Sequence, residues 1–172
     1  MTWLMWVLAA VAGLMAAVVV IGFLLPRDHV ATRHVRLPVP PDAVWTVLTD
    51  HAAETQWRSG LRSVARAPDR DGRAVWEEVD SHGQRMLLET LESEPPRRLV
   101  RRIVDTGLPF GGTWTIEVAP DAPGSIVTVT EAGVVTNPVF RFVSRFVMGH
   151  SATIDAYLKA LGRRFGAAVA VS

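Results

Sequence analysis

The sequence contains no cysteine and almost no excess charge of either sign. The absence of cysteine excludes a disulfide scaffold, a thiolate zinc site and a cysteine nucleophile. With 18 Lys and Arg against 17 Asp and Glu, the formal net charge is only +1. This balance excludes a nucleic-acid binder that depends on overall electrostatic attraction.

The sequence also lacks the short motifs that usually identify a catalytic site. There is no G-x-S-x-G, H-E-x-x-H, Walker or G-x-G-x-x-G pattern. None of the five histidines forms an i, i+4 or H-x-H pair, so neither a metal site nor a cofactor is expected. The five are His29, His34, His51, His82 and His150.

Charge is missing from one whole segment of the chain, residues 1–26. The remaining 146 residues are about 24% charged, which is ordinary for a soluble globular domain. That length suffices for one domain with a real core and not comfortably for two. The sequence therefore predicts an N-terminal transmembrane anchor over residues 1–26 and one domain over residues 27–172.

The anchor prediction follows from the length of the apolar run. The 23 residues 3–25 would span about 34 Å as a helix, enough to cross a hydrocarbon core of about 30 Å. A cleaved signal peptide is the alternative, but the segment has no basic N-terminal region and ends in Leu24-Leu25-Pro26-Arg27. Ala9, Gly13 and Ala17 could form a small-xxx-small helix contact, or could simply be small residues of an Ala-rich anchor.

The flanking charges predict the orientation of this anchor. Arg27, Arg33 and Arg36 follow it, whereas only the α-amino group precedes it. The positive-inside bias then places the C-terminal domain in the cytoplasm. We therefore expect a single-pass protein of a bacterial-type inner or plasma membrane.

The body alternates between extended and helical patterns in a definite order. A strand is predicted over residues 30–38, and Pro40-Pro41-Asp42 then opens a helix, because proline near a helix start costs no hydrogen bond. A second short helix is predicted over residues 53–57. Turns rich in Gly, Pro and Asp separate six further predicted strands: 61–67, 73–80, 84–94, 97–106, 112–119 and 125–134. A long amphipathic helix over residues 138–165 completes an α+β fold, in which a curved antiparallel sheet surrounds one helix.

The N-terminal part of this domain resembles that of a known family. Residues 39–50, VPPDAVWTVLTD, form a Pro-rich turn and a helix that ends in Thr-Asp, and Trp57 follows. With the GTWTI strand around Trp114 and the last helix, this β-α-α-β6-α order resembles the helix-grip (SRPBCC) superfamily. That superfamily includes START domains, the pollen-allergen fold and polyketide cyclase/dehydrase-like proteins. The resemblance covers residues 30–165 and implies a cavity for apolar or amphipathic molecules between the sheet and the last helix.

Two polar residues are candidates for lining that cavity. His150 falls on the apolar face of the predicted last helix, beside Ile154, where an imidazole could bond a ligand carbonyl or transfer a proton near neutral pH. The alternative is a histidine satisfied by a backbone carbonyl. Glu77 and Glu78 point to opposite faces of a strand, and alternation does not decide which one points inward. We take Glu78 as the candidate, with a solvated surface pair as the alternative.

Aromatic and apolar residues, among them Ile154 of the last helix, complete the candidate site. The resemblance places Trp57 near one end of the cavity and Trp114 on a strand of the sheet, where either could simply pack the core. Leu108 and Phe110 lie in the glycine-flanked loop from Thr106 to Gly112. This loop is either a hairpin tip folded onto the core, or a lid or a tip that touches the bilayer.

Three arginines are weaker candidates. Arg58 follows Trp57 and could pair with an acidic ligand group, although an exposed position is the simpler interpretation. One of Arg101 and Arg102 should point inward on its strand, and a buried arginine needs a partner. A neighbouring carboxylate or a ligand would serve.

The sequence thus predicts a membrane-anchored protein that binds a hydrophobic small molecule or lipid, with no nucleic-acid partner. Apolar burial would supply the affinity, and one or two polar groups would fix the orientation. One alternative is a cyclase or dehydratase that uses the same cavity. The other is an anchored interaction module whose cavity is filled by its own side chains. The sequence alone does not decide whether the protein is an enzyme.

Overall fold

The computed structural model describes residues 2–104, 107–167 and 171–172. Within these residues the chain forms four α-helices and seven strands. The helices are α1 Thr2–Leu24, α2 Pro41–Thr49, α3 Pro138–Val143 and α4 Ala152–Arg164. The strands are β1 Asp28–Leu37, β2 Leu61–Arg70, β3 Arg73–Asp80, β4 Arg85–Glu94, β5 Arg98–Ile103, β6 Phe110–Asp121 and β7 Gly124–Val135. A 3₁₀ helix, His51–Gln56, follows α2, and a π-helical turn, Ser144–Met148, follows α3.

All seven strands belong to one antiparallel sheet, in the order β1-β7-β6-β5-β4-β3-β2. Consecutive strands are neighbours from β2 to β7, as expected where short turns join them. Strand β1 closes the sheet against β7, with Val35 opposite Val127. The α+β helix-grip architecture predicted from the sequence is confirmed.

The core lies between one face of this sheet, the inner face, and α4. Ile154, Leu158 and Leu161 of α4 are fully buried because their spacing of four and three residues places them on one helix face. They pack with inner-face residues of β1, β6 and β7 and with α2. Arg33 of β1 holds the first turn of α4 through Asp155 Oδ1 at 3.2 Å and Ser151 Oγ at 2.9 Å.

The last helix differs from the predicted continuous helix over residues 138–165. It is broken between Met148 and Ala152, where Gly149 adopts φ +79°, a left-handed conformation that glycine reaches without strain. The apolar residues of α4 pack on the inner face, whereas α3 reaches the sheet through Phe140, which contacts Phe110 of β6. Val147 is 73% exposed, and α3 also packs against α1.

Helix α1 is long and apolar enough to cross a membrane, with a mean hydropathy of 2.8 and no acidic or basic residue. Its close contact with the body is at Gly22, where a Cβ atom would lie 1.9 Å from the carbonyl oxygen of Pro138. Gly13, by contrast, has open space around it. Near the C-terminal end of α1, a close contact within the chain therefore depends on the small residue Gly22.

Candidate functional site

The inner face carries a buried cluster of charged side chains near α2. Glu54 and Glu78 are each 2% exposed and face two arginines, Arg58 and Arg101. Nη1 of Arg101 lies 3.1 Å from Glu78 Oε1 and 3.5 Å from Glu54 Oε1. Arg58 Nη1 lies 3.1 Å from Glu78 Oε2 and also donates to Glu54 Oε2. We call these four residues the buried ion cluster.

Three elements bring the cluster together. Asp50 caps the 51–56 helix by accepting a hydrogen bond from the backbone N–H of Ala53, which places Glu54 on the side that faces the sheet. Arg58 lies one helical turn further along the chain. Alternation along β3 and β5 points Glu78 and Arg101 to the same inner face.

A histidine and a tyrosine border the cluster. His51 Nδ1 lies 2.7 Å from Glu54 Oε1, within hydrogen-bond distance. The Arg58 guanidinium lies over the ring of Tyr157, 5.2 Å from its centroid. Trp57 and Trp114 each meet the same tyrosine ring edge-on at 5.4 Å. The cluster is thus enclosed by aromatic rings from α4, β6 and the loop that follows the 51–56 helix.

The surroundings fix the protonation states at neutral pH. Burial raises the pKa of Glu54, but the hydrogen bond from His51 and the charges of Arg101 and Arg58 outweigh it and lower the pKa to about 2. Burial, followed by the charge of Glu54, raises the pKa of Tyr157. At neutral pH Glu54 is therefore ionised, and Tyr157 keeps its proton and can donate a hydrogen bond.

Some donors in this region have no protein partner among the described residues. These donors are Nε and Nη2 of Arg101 and the indole Nε1 of Trp57. Arg101 is only 7% exposed and Trp57 only 9%. A buried donor without a partner costs about 1–3 kcal/mol. These atoms are suited to bonding the oxygen atoms of a bound molecule.

Some of the candidate residues lie at or beside the buried ion cluster. These are Glu78, Trp57 and Trp114, and here Glu78 points inward while Glu77 pairs with Arg85 at the surface. Ile154, by contrast, is fully buried in the core and exposes no surface.

The other candidates lie elsewhere on the domain. Leu108 lines a shallow surface pocket with His82 and Arg85. Phe110 belongs to β6 rather than to a loop, and its ring stacks on Phe140 of α3 at 5.8 Å. Thr106 lies outside the described residues.

His150 lies in the break between α3 and α4, not on a helix face. Its ring stacks on that of His29 at 4.3 Å between centroids. Burial, then His29 and Arg145, lower the pKa of His150, so this imidazole is neutral at pH 7. Among the described residues, no group of three or more His, Cys, Asp or Glu side chains is arranged to hold a metal ion.

Glu131 of β7 links this histidine pair to the aromatic residues of the inner face. Its Oε2 accepts from Trp114 Nε1 at 3.0 Å, and its Oε1 lies 3.4 Å from His29 Nε2. A polar row therefore crosses the inner face from the ion cluster, through Trp114 and Glu131, to the stacked histidines.

Sequence reasoning named Arg58 and the Arg101/Arg102 pair as candidates but missed His51, Glu54 and other members of this row. His51, Glu54 and Arg58 follow the i, i+3, i+7 spacing of one helix face, a signal that could have identified the first two. Arg101 is the inward member of its pair, while Arg102 bonds Glu89 at 2.6 Å on the opposite face. No local pattern relates His29 to His150, which are neighbours only because of the tertiary fold.

Buried side chains of α4, α2 and the sheet pack together between the last helix and the inner face. Two pockets formed by the described residues lie elsewhere, one at the surface beside Leu108 and one between α1 and the body. The cavity implied by the resemblance is thus unconfirmed.

The fold and the polar inner face define a helix-grip protein of the START-like class. Residues 28–166 match the family described as polyketide cyclase / dehydrase and lipid transport. Because this match covers most of the chain, the chain belongs to that family. The comparison with curated proteins gave no match.

Solved structures show the same fold. The di-domain ARO/CYC BexL from the BE-7585A biosynthetic pathway is 15% identical, with a TM-score of 0.67 over 95% of this chain. This chain spans only 61% of BexL. The Zhui aromatase/cyclase from Streptomyces sp. R1128 is 16% identical, with a TM-score of 0.64 and coverage of 81% of this chain and 94% of that one. Norcoclaurine synthase from Thalictrum flavum is 13% identical, with a TM-score of 0.62 and coverage of 80% and 86%. Identities this low establish the fold alone.

Proposed function

We propose that this chain is a membrane-anchored protein that binds a hydrophobic small molecule, lipid-like or polyketide-like, on the inner face of its sheet. The observation that carries the proposal is the buried guanidinium of Arg101, with two donor atoms that no described protein group accepts. The neighbouring Trp57 indole offers a third such donor. Aromatic rings around these atoms would bury the apolar part of the ligand, and the donors would hold its oxygen atoms.

The ligand would enter at the N-terminal end of α4. That end follows the break at Gly149 and is held to the sheet by the buried side chain of Ile154 and by Arg33, through Asp155 and Ser151. Both Arg33 and Asp155 are partly exposed, and exposed ion pairs contribute only about 0–1 kcal/mol. Displacing this turn would open the packed interface beside Tyr157 without disturbing the sheet.

A second candidate function is a cyclase or dehydratase that acts on the same ligand class. It is favoured by the inward-facing acid–base groups around Glu54, which membership of this family also supports. Glu54 is ionised at neutral pH and cannot serve as the proton donor. Tyr157 would polarise a carbonyl by donating a hydrogen bond, and His51 would be the group that exchanges a proton.

The binding proposal predicts an effect of the change Arg101→Gln on ligand occupancy. The full chain in an uncharged detergent should carry an apolar adduct in native mass spectrometry, which organic extraction then identifies. Arg101→Gln should lower its occupancy about tenfold, because a hydrogen bond to a charged group contributes about 1.5–3 kcal/mol. Arg98→Gln is the matched control on the same strand, since Arg98 pairs with Glu92 and Glu117 at the surface. An adduct-free wild-type chain from several expression hosts would contradict the proposal and favour an interaction module with a filled interior.

The anchoring proposal predicts the side of the membrane on which the domain lies. Because the chain has no cysteine, a single His82→Cys change in the exposed β3–β4 turn provides a unique label site. In spheroplasts of a bacterial host, a membrane-impermeant maleimide should label this cysteine only after permeabilisation. A Thr2→Cys chain should be labelled in intact spheroplasts. The reverse pattern would invert the topology, and recovery of the protein after carbonate washing in the soluble fraction would refute the anchor.

A further inference from the structure

The pocket between α1 and the body of the domain is lined by several polar residues. It has a volume of about 300 Å³ and is walled by the chain that leaves α1, by the start of β1 and by the segment from α3 to His150. Its polar lining includes Arg27, Arg141, Arg145, His29, His150 and Ser144. Asp28 is the single carboxylate in that lining. The pocket therefore presents three permanent positive charges against one negative charge.

We call this space the junction pocket. Arg141 is the most deeply buried charged residue in its lining. It is 4% exposed, and its guanidinium hydrogen-bonds only the backbone carbonyls of Leu25 at 2.9 Å and Thr136 at 3.3 Å. The same group lies 6.0 Å from the centroid of the Phe23 ring, a contact that supplies no counter-charge. Among the described residues no carboxylate lies within ion-pair distance of it, and its Nε has no partner. A buried charge without a counter-ion is costly. An anion bound in the pocket would supply both the missing charge and the missing acceptor.

The other polar groups add donors around the same space. Arg27 and Arg145 have no ion-pair partner in the part of the chain that the structure describes. Unlike these two exposed arginines, Nδ1 of His29 and Nδ1 of His150 are buried, and neither atom has a hydrogen-bond partner among the described residues. Guanidinium forks and imidazole N–H groups around a hydroxyl suit the several oxygen atoms of a phosphate group.

The position of the pocket identifies the source of that phosphate. The pocket begins at Leu25, directly after the apolar helix ends at Leu24, which is the level of the lipid headgroups if α1 spans the bilayer. Phe146, Val147 and Met148, which follow Arg145 in the chain, are apolar and are 60%, 73% and 54% exposed. Such residues next to Arg145 are typical of a segment that lies in the membrane interface.

We propose that the junction pocket binds the phosphate group of an anionic phospholipid. This inference rests on the proposed anchoring, because it places the pocket at the bilayer surface. It assigns a site at the histidine end of the polar row, away from the buried ion cluster. The bound headgroup would join α1, β1 and the α3 segment, and so would fix the domain in one orientation on the membrane.

The test measures lipid retention by the full chain in micelles of an uncharged detergent. Phosphatidylglycerol and phosphatidylcholine are added in equal amounts, and native mass spectrometry counts the lipids that remain bound. We expect one phosphatidylglycerol per chain, preferred at least about tenfold over phosphatidylcholine. The double variant Arg27→Gln/Arg145→Gln should remove this preference, because both arginines line the pocket and neither has an ion-pair partner that folding requires. Arg62→Gln, on β2, is the matched control and should behave as wild type.

Other outcomes would overturn the assignment. Retention of both lipids in equal amounts, or an unchanged preference in the double variant, would refute the site. If millimolar inorganic phosphate displaces the lipid while phosphatidylglycerol shows no preference over phosphatidylcholine, the pocket binds soluble phosphate and the lipid assignment is wrong. Because micelles hold the chain whether or not it spans a bilayer, failure here is distinct from failure of the anchor, which carbonate washing of membranes detects.

Discussion

Replacing Glu54 by glutamine should lower the free energy of unfolding by about 3–5 kcal/mol, the usual cost of removing one partner from a buried ion pair. The carboxylate is 2% exposed and faces Arg58, Arg101 and His51. Glutamine keeps the shape and removes the charge. It leaves the buried Arg101 and the partly buried Arg58 with Glu78 as their one remaining carboxylate in the cluster.

The matched control is Glu77→Gln, which also removes one carboxylate from the sheet region. Glu77 pairs with Arg85 at the surface, so its loss should cost no more than about 1 kcal/mol. Urea unfolding in micelles, followed by tryptophan emission, measures both variants. A Trp3→Phe/Trp6→Phe background removes the signal of α1 and leaves the tryptophans of the body. Equal losses for the two glutamates would show that the buried ion cluster is not a stabilising unit.

The same carboxylate makes stability depend on pH. The pKa of Glu54 is lowered from 4.5 to about 2 in the folded state. A depressed folded-state pKa stabilises the protein above the unfolded value, and this contribution is lost as pH falls from about 4.5 toward 2. The shift corresponds to about 3 kcal/mol. Over that pH range the wild type should lose more stability than Glu54→Gln, and parallel acid-unfolding curves would contradict the assignment.

The order of elements could be predicted because its signals are local. Glycine, proline and aspartate mark the turns, and alternation marks the strands between them, so that the predicted strand over residues 73–80 coincides with β3. Turn chemistry and residue alternation do not depend on distant partners. The family resemblance rests on signals of the same kind, since its most specific part is the continuous segment of residues 39–50.

The candidate site could be predicted only in part, because its geometry is set by distant residues. Alternation placed Glu77 and Glu78 on opposite faces, but only Arg101 and Arg58, from two other segments, determine that Glu78 is buried. The stacking of His150 on His29 depends on the break at Gly149. A helix-period pattern continues through that glycine, so periodicity alone predicts an unbroken helix.

A change of Gly22 to alanine should detach α3 from α1. The added Cβ would lie 1.9 Å from the carbonyl oxygen of Pro138 and 2.6 Å from its carbon, both backbone atoms that cannot rotate away. Overpacking of this kind costs about 1–3 kcal/mol. The bond from Arg141 to the Leu25 carbonyl spans the same contact and should break with it. The junction pocket would then lose a wall, and its preference for phosphatidylglycerol should disappear.

Helix propensity alone predicts that a change of glycine to alanine stabilises α1, whereas the contact at Pro138 predicts that Gly22→Ala destabilises it. The two explanations therefore predict opposite results. Alanine is favoured over glycine within a helix by about 1 kcal/mol, so Gly13→Ala, which meets no neighbouring atom, should leave the body unchanged. Hydrogen exchange of the segment 138–148 should speed up about tenfold or more in Gly22→Ala and stay at the wild-type rate in Gly13→Ala. Exchange in the parts of β6 and β7 that pack on α4 should not change, because the core between sheet and α4 does not include α1. Equal protection of residues 138–148 in both variants would mean that α1 does not dock on α3, and the junction pocket would then lose its structural basis.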